Sequence, residues 1–218
     1  MTLRAVIFDF DFTLVDSSRG FIDCHEYACR HLDLPAVSPE ASMALMGTPL
    51  LEAFKLLFPA EHHPAADDYV KLWQMRADEV MTDLTEVFPD APRTVAELRR
   101  QGLRLGIVSQ KLRRRIEAVL ERDGLAACFD VVIGGEDISE FKPHPEGLEK
   151  ALASLGALPA EAMYVGDTVI DAQAAANAHV PFVAVLSGVT PAEAFLPFKP
   201  LAVLADIRGL PELCRSSC

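Results

Sequence analysis

Several features are missing from this sequence of 218 residues, and each absence narrows the classes of function that fit it. Lys and Arg number only 20 against 32 Asp and Glu, and the net charge of −12 repels nucleic-acid backbones and anionic membranes. No stretch approaches the roughly eighteen apolar residues that a membrane span needs. The acidic Asp9 comes too early for a secretory leader. We therefore expect a cytoplasmic protein that binds neither nucleic acid nor membranes.

Cysteine is also scarce, and its spacing shows neither CxxC pairs nor the density of a disulfide framework. The number of cysteines is odd, which fits a reduced protein. The five are Cys24, Cys29, Cys128, Cys214 and Cys218. Cys214 and Cys218 would share one helix face, but no His or acidic residue lies beside them, so a metal site there is not expected. The phosphate-binding pattern GxxxxGK is absent as well, so nothing supports nucleotide use of the kinase or ATPase kind.

Beyond residue 93, short apolar runs alternate with helical patterns about ten residues long. Helices are predicted over 94–101, 113–122, 145–155 and 170–178, and strands over 5–8, 103–108, 129–133, 162–165, 181–185 and 201–204, with a short C-terminal helix. This alternation predicts an α/β fold, with a doubly wound, Rossmann-like parallel sheet covered on both faces.

Strand patterns disappear between about residues 16 and 86, where helical spacing covers 18–31, 50–58 and 65–84. Prolines and a glycine separate these segments, including a loop between Pro59 and Pro64 that holds His62 and His63. We predict an all-helical domain, 16–86, inserted into a core formed by 1–15 and 87–218. His62 and His63 are interpreted as part of a solvated turn rather than as metal ligands.

Asp9 and Asp11 follow the first predicted strand directly, at the carboxyl end of the sheet, where open α/β sheets bind ligands. Residues two apart in extended chain point the same way, which aims both carboxylates into one cleft. Such a pair suits a divalent metal, or a nucleophile beside a general acid/base. Strand-end aspartates also cap turns, and for an isolated pair that structural interpretation is the more common one.

Three more strand ends carry polar residues. Ser109 could bind a phosphoryl oxygen or cap the next helix. Lys142, which is followed by Pro143 and Pro145, could bind phosphate or lie in an ordinary loop. Asp167 and Asp171 suit Mg²⁺, although Asp167 or Thr168 could simply cap a helix. Because the ends of parallel strands converge on one crevice, the four positions together favour a phosphate-processing site over four separate capping roles.

This order of motifs resembles the haloacid dehalogenase superfamily over nearly the whole chain. The helical insert resembles the mobile cap of its phosphoglycolate-phosphatase-like branch, as do residues 46–50 and 102–109. The resemblance implies a small phosphorylated metabolite as substrate and a monomer or homodimer as the assembly.

By the same resemblance, Asp9 is the nucleophile that becomes an aspartyl-phosphate, and Asp11 is the general acid/base. Ser109, Lys142 and the backbone N–H groups that begin at Phe10 would bind the phosphoryl oxygens. Mg²⁺ would be bound by Asp9, the Asp11 carbonyl and Asp167, with Asp171 in support. Dehalogenases of the superfamily lack the second aspartate, so Asp11 favours phosphoryl transfer.

Two positions depart from the family's usual pattern, with Phe12 in place of Gly and Gln110 in place of Asn. Phe12 could reshape the loop, narrow the pocket or only pack there. The resemblance thus implies a Mg²⁺-dependent phosphatase of small, phosphoglycolate-like phosphate monoesters. The alternatives are an inorganic pyrophosphatase, a sugar-phosphate mutase like β-phosphoglucomutase, and a binding or regulatory module without catalysis. Thr48 after Gly47 disfavours the mutase, which tends to have a basic residue at that position. The presence of both Asp9 and Lys142 disfavours the binding module without catalysis.

Overall fold

The computed structural model describes residues 3–216, so Met1, Thr2, Ser217 and Cys218, including the cysteine considered above, lie outside the described residues. The chain divides into two compact units. One comprises Met1–Val15 with Val87–Cys218, and the other comprises Asp16–Glu86.

The first unit contains a six-stranded parallel sheet. Its strands are β1 (Ala5–Phe8), β4 (Arg104–Val108), β5 (Val131–Ile133), β6 (Ala162–Gly166), β7 (Phe182–Val185) and β8 (Ala202–Leu204). In space they run β5-β4-β1-β6-β7-β8, and each neighbouring pair is parallel. The chain order therefore runs outward in both directions from β1, which puts the reversal of strand order beside β1.

Helices cover both faces of this sheet. They are α5 (Ala91–Arg100), α6 (Arg113–Arg122), α7 (Glu146–Leu155), α8 (Val169–Asn177) and α9 (Leu210–Ser216), with 3-10 turns at Ala126–Cys128, Gly135–Asp137, Pro159–Glu161, Ala192–Phe198 and Ile207–Gly209. Alternate residues of β1 face opposite sides: Val6 and Phe8 pack with α5, α6 and α9, whereas Ala5 and Ile7 pack with α7 and α8. The predicted doubly wound parallel sheet is confirmed.

The second unit is helical. It contains α1 (Ser18–His31), α2 (Pro39–Met43), α3 (Leu50–Leu57) and α4 (Ala66–Val80), with a 3-10 segment at Ala60–Ala65. Its separate hydrophobic core is built around aromatic residues of α1, α3 and α4. Two short strands, β2 (Val15–Asp16) and β3 (Glu86–Val87), pair with each other where the chain passes between the units.

The structure differs from the sequence-based predictions in the start of one helix, in one helix that was not predicted, and in one segment predicted as a turn. Helix α5 begins at Ala91 rather than at residue 94, and Pro92 is accepted in its first turn because N–H groups there have no helical partner. Helix α2 was not predicted; Ser38 caps it by accepting a hydrogen bond from the Ala41 N–H at 3.2 Å. Residues 60–65, interpreted as a solvated turn, form a 3-10 helix in which His63 bonds the Phe58 carbonyl.

Among residues 3–216, no helix is both long enough and apolar enough to cross a bilayer. Within the same residues, no disulfide joins Cys24, Cys29, Cys128 and Cys214.

His25 is buried inside the helical unit. Its ring lies 4.6 Å from the Phe21 ring and 6.0 Å from the Trp73 ring, between centroids, and its Nδ1 forms a short hydrogen bond with the Tyr69 hydroxyl. Burial lowers the pKa of His25 from 6.5 to about 4, because the charged imidazolium would lose its hydration.

This shift predicts acid sensitivity of the helical unit. Between pH 6.5 and pH 4 the unfolded chain binds more protons at residue 25 than the folded chain does, so the contribution to stability is complete above pH 6.5 and is lost as the pH falls. We expect the free energy of unfolding to be about 2 kcal/mol lower at pH 5 than at pH 7.5 from this residue alone. Denaturant titration followed by fluorescence of Trp73, the only tryptophan, would measure it.

His25→Asn should remove that part of the pH dependence, because asparagine does not titrate but can still bond Tyr69. The matched control is His31→Asn, at an exposed position of the same helix, which should keep the wild-type slope. An equal pH dependence in wild type and His25→Asn would contradict the assignment.

Candidate active site

The polar residues predicted to act together follow three adjacent strands. Asp9 follows β1, Ser109 follows β4, and Asp167 follows β6, so all three lie at the carboxyl edge of the sheet. Strand order reverses at this edge, and open α/β sheets form a ligand crevice at such a point. The fold itself therefore brings these separate segments of sequence to one place.

Lys142 joins the site from the loop after β5. Its Nζ lies 2.8 Å from Asp9 Oδ1, 2.6 Å from Asp171 Oδ1 and 3.1 Å from the Tyr164 hydroxyl. An ammonium group has three N–H donors, so these three acceptors use all of them. Lys142 is consequently fixed between two buried carboxylates rather than placed in an ordinary loop.

Tyr164 is a member of this network that the sequence did not identify. It lies in the middle of β6, fully buried, and its hydroxyl donates to Asp171 Oδ1 at 2.9 Å while accepting from Lys142. The available sequence signal was weak: a tyrosine in an otherwise apolar strand needs a buried partner for its hydroxyl.

Asp171 is held on both of its oxygens. Oδ1 accepts from Lys142 and Tyr164, while Oδ2 accepts from the Thr168 backbone N–H at 3.1 Å and from the Thr168 hydroxyl. Thr168 is the N-cap of α8 and forms a capping box with Asp171. The capping interpretation was thus correct for Thr168, yet Asp171 belongs to the charged cluster as well.

Asp9, Asp167 and Asp171 form a buried carboxylate cluster. One oxygen from each lies within 4.8 Å of the other two, and they are the one group of this kind among residues 3–216 that could hold a metal ion. Burial, together with the negative charges of Asp171 and Asp9, raises the pKa of Asp167 to about 9. Burial also raises the pKa of Asp9 to about 7, although Lys142 opposes that shift. A cation would relieve this unfavourable concentration of negative charge.

The loop after Asp9 turns sharply through Phe12, whose φ of 57° is in the left-handed region. The Phe12 N–H donates to the Val15 carbonyl at 2.7 Å, and the Phe10 carbonyl accepts from the Leu14 N–H at 2.9 Å. The Phe10 N–H makes no hydrogen bond within residues 3–216, which leaves it available to an oxygen of a ligand. At Phe12, then, the backbone has a conformation that favours glycine, although a bulky side chain occupies the position.

Asp11 pairs with a residue whose role was not predicted. Lys111 Nζ lies 2.7 Å from Asp11 Oδ1, and both side chains are largely buried. Lys111 comes two residues after Ser109 at the end of β4, and this position next to a strand end was the only signal in the sequence.

Ser109 and Gln110 occupy the same turn after β4. Helix α6 begins only at Arg113, and its N-cap, Leu112, makes no side-chain cap, so the capping role considered for Ser109 is wrong. Instead, Ser109 Oγ accepts from the Lys111 N–H at 3.3 Å, and Gln110 Nε2 donates to the Lys142 carbonyl at 3.3 Å. Gln110 thereby connects the turn that carries Lys111 with the loop that carries Lys142.

Arg76 and His25 are polar residues of the helical unit whose side chains are already engaged within that unit. Arg76 pairs with Asp23 at 2.6 Å and with Glu79 at 3.1 Å, and His25 is buried against Tyr69. Neither offers an unengaged charge for a substrate.

Comparison with known proteins agrees with this geometry. A family model described as haloacid dehalogenase-like hydrolase matches residues 6–185. A pyrophosphatase PpaX from Bacillus mycoides is 31% identical over 99% of both chains. A phosphoglycolate phosphatase from Salmonella typhimurium is 32% identical over 95% of this chain and 91% of its own.

Solved structures show the same architecture. A crystal structure from Bacteroides fragilis that carries the name haloacid dehalogenase-like hydrolase superposes with a TM-score of 0.91 at 34% identity, covering 96% of this chain and 100% of its own. The family model covers far more than half of the chain, and relatives above 30% identity extend along almost all of it. The chain belongs to the haloacid dehalogenase-like hydrolase family, and it is an enzyme of that family.

Proposed function

We propose that this hydrolase is a Mg²⁺-dependent phosphatase that cleaves small phosphate esters through an aspartyl-phosphate on Asp9. The observation that carries the proposal is the buried group of Asp9, Asp167 and Asp171 around the Lys142 ammonium, at the carboxyl edge of the sheet. A nucleophilic carboxylate, a fixed cation and further oxygen ligands are the parts that phosphoryl transfer requires.

The donor set fits a divalent cation of the Mg²⁺ type, which takes oxygen ligands and often binds through one or two carboxylates plus water. Both oxygens of Asp171 already accept hydrogen bonds, so Asp9 and Asp167 are better placed to be direct ligands, with Asp171 supporting them. The Asp11 backbone carbonyl would complete the set of protein ligands. When bound, the metal would reduce the repulsion between the Asp9 carboxylate and an anionic phosphate.

In the proposed first step, an Asp9 oxygen attacks phosphorus, the bond from phosphorus to the leaving oxygen breaks, and Asp11 protonates that oxygen. In the second step, Asp11 accepts a proton from water, which attacks the same phosphorus, and the bond between Asp9 and phosphorus breaks to release phosphate. Ser109 and the Phe10 N–H would bind the oxygens on which negative charge is concentrated, and the charge of Lys142, whose donors are engaged by protein acceptors, would stabilise that negative charge.

An inorganic pyrophosphatase is the second candidate, because the relative from Bacillus mycoides that spans 99% of both chains bears that name. Both reactions need the same nucleophile, metal and acid/base, and they differ only in the group that leaves. We propose the phosphate monoesterase as the first candidate, with the phosphoglycolate phosphatase of Salmonella typhimurium in support. Cytoplasmic location and a substrate that is a small metabolite belong to the same proposal.

The direct test is phosphate release by the purified chain from phosphoglycolate, sugar phosphates and pyrophosphate. We expect turnover that requires Mg²⁺, stops with a chelator, and falls by on the order of a thousand-fold or more in Asp9→Asn, because the amide is a poor nucleophile. The substrate with the highest kcat/KM would decide between the two candidates. Activity of Asp9→Asn equal to that of wild type would end the proposed mechanism.

Metal binding can be tested without turnover. Mg²⁺ at about a hundred times its Kd should stabilise the folded chain by about 2.7 kcal/mol, measured as a rise in Tm. Asp167→Asn should remove most of this rise, because it takes away a buried anionic ligand. The control is Asp123→Asn, at an exposed position of the same unit, which should keep the full rise. A rise of equal size in both variants would count against Asp167 as a ligand.

The acid/base role of Asp11 predicts a dependence on the leaving group. Asp11→Asn keeps an oxygen for Lys111 but has no carboxyl proton to give. We expect kcat/KM, which reports on formation of the aspartyl-phosphate, to fall by about 10² to 10⁴ for alkyl phosphates. It should fall much less for p-nitrophenyl phosphate, whose leaving group needs no proton. Equal losses for the two substrates would show that Asp11 does not act as the acid.

A further inference from the structure

Lys111 and Lys142 are two cations of one site, but they differ in how their donors are used. All three Lys142 N–H groups point at protein acceptors, namely Asp9, Asp171 and Tyr164. Among residues 3–216, the Lys111 ammonium donates to Asp11 alone. Two of its three donors therefore remain for a ligand, and its side chain is only 8% exposed, so little solvent competes for them.

Lys111 contacts the proposed acid/base, Asp11, rather than the proposed nucleophile. Its Nζ lies 2.7 Å from Asp11 Oδ1, whereas the cation beside the nucleophile Asp9 is Lys142. In the proposed reaction Asp11 touches the oxygen of the leaving group. A cation adjacent to Asp11 would therefore lie close to any further chemical group on the leaving alcohol.

The charge balance of the site makes this important for specificity. Asp9, Asp11, Asp167 and Asp171 contribute four carboxylates against the ammonium groups of Lys111 and Lys142. The two charges of the proposed Mg²⁺ would bring the site to about neutral but no further, so a leaving group with its own negative charge would gain most from a cation with unused donors close to it. Lys111 is that cation.

We propose that Lys111 is a specificity-determining residue that selects substrates whose leaving group carries a second anionic group, a carboxylate or a phosphate, within a few atoms of the scissile oxygen. This inference rests on the proposed function and names the substrate class of the same site. Binding would replace or share the bond between Lys111 and Asp11, so that the substrate itself changes the partner of the ammonium. Esters of uncharged alcohols would gain nothing from Lys111.

The test compares two substrates of equal length: phosphoglycolate, which ends in a carboxylate, and ethyl phosphate, which ends in a methyl group. Lys111→Met keeps the length of the side chain and removes the charge. We expect kcat/KM for phosphoglycolate, divided by that for ethyl phosphate, to fall about ten- to a hundred-fold, the effect of losing a charge-assisted hydrogen bond. Lys111→Arg should restore part of the ratio, and Lys71→Met, at an exposed position, should leave it unchanged.

The ratio separates specificity from an effect through Asp11. If Lys111 only positioned Asp11, Lys111→Met would slow both substrates equally, and an unchanged ratio would overturn the inference while leaving the proposed phosphatase intact. Failure of the proposed function has a different signature, which is no phosphate release by wild type from any substrate.

A binding measurement gives an answer that does not depend on turnover. Calorimetric titration of phosphoglycolate into Asp9→Asn, which should bind without hydrolysis, is compared with the same titration into Asp9→Asn with Lys111→Met. We expect the Kd to rise about ten-fold or more in the double variant. Equal affinity of the two proteins, or no binding to either, would overturn the role of Lys111.

Discussion

The structure of the site depends on one buried ammonium group, that of Lys142. Burial alone would lower the pKa of Lys142, but the charges of Asp171 and Asp9 raise it well above its usual value, so the group stays charged. A buried ion pair is tolerated only when each charge and each donor finds a partner, and here Asp9, Asp171 and Tyr164 satisfy all three donors. Removing the ammonium would leave two carboxylates buried without compensation.

Parts of the sequence that lie far apart hold Asp9, the proposed nucleophile, in position. Asp9 follows β1, Lys142 follows β5, Tyr164 lies in β6, and Asp171 lies in the first turn of α8. Asp171 also closes the capping box of α8 through Thr168, so the same carboxylate stabilises a helix end and holds the lysine. Asp167, which shares no ion pair with Lys142, keeps a strongly raised pKa from burial and like charge, and it is the position where a metal would bring the largest electrostatic gain.

The sheet could be predicted well because two local sequence patterns indicate it: the apolar run of each strand and the polar residue that follows it. A short apolar run such as residues 5–8 is typical of a strand covered on both faces, and a strand end in such a sheet places its next residue at the common edge. Element bounds were less certain, as α5 illustrates, because a first turn that contains Pro92 has no periodic apolar pattern to mark it. The short α2 is held by the Ser38 cap rather than by a periodic apolar stripe, and the sequence pattern did not identify it.

Partners within the site could not be predicted in the same way. Lys111 and Asp11 are a hundred residues apart in sequence, and their contact depends on the register of β1 against β4 and on the turn after each strand. Tyr164 was hidden because a single aromatic residue in an apolar strand looks like core. The fold predicts which residues reach the edge of the sheet; which of them form bonds depends on side-chain geometry that sequence spacing does not describe.

Phe12 departs from the glycine usual in the family, yet it adopts a backbone conformation that glycine favours. Glycine is common where φ is positive, and a bulky residue there costs about 1–2 kcal/mol. Phe12 nevertheless adopts a φ of 57°, and its N–H bonds the Val15 carbonyl. The surrounding loop imposes this conformation, and the Phe12 side chain is buried, so its packing offsets part of the strain. The substitution therefore alters what packs beneath the loop, while the path of the backbone from Asp9 to Asp11, on which both proposed catalytic carboxylates depend, is the one that glycine would favour.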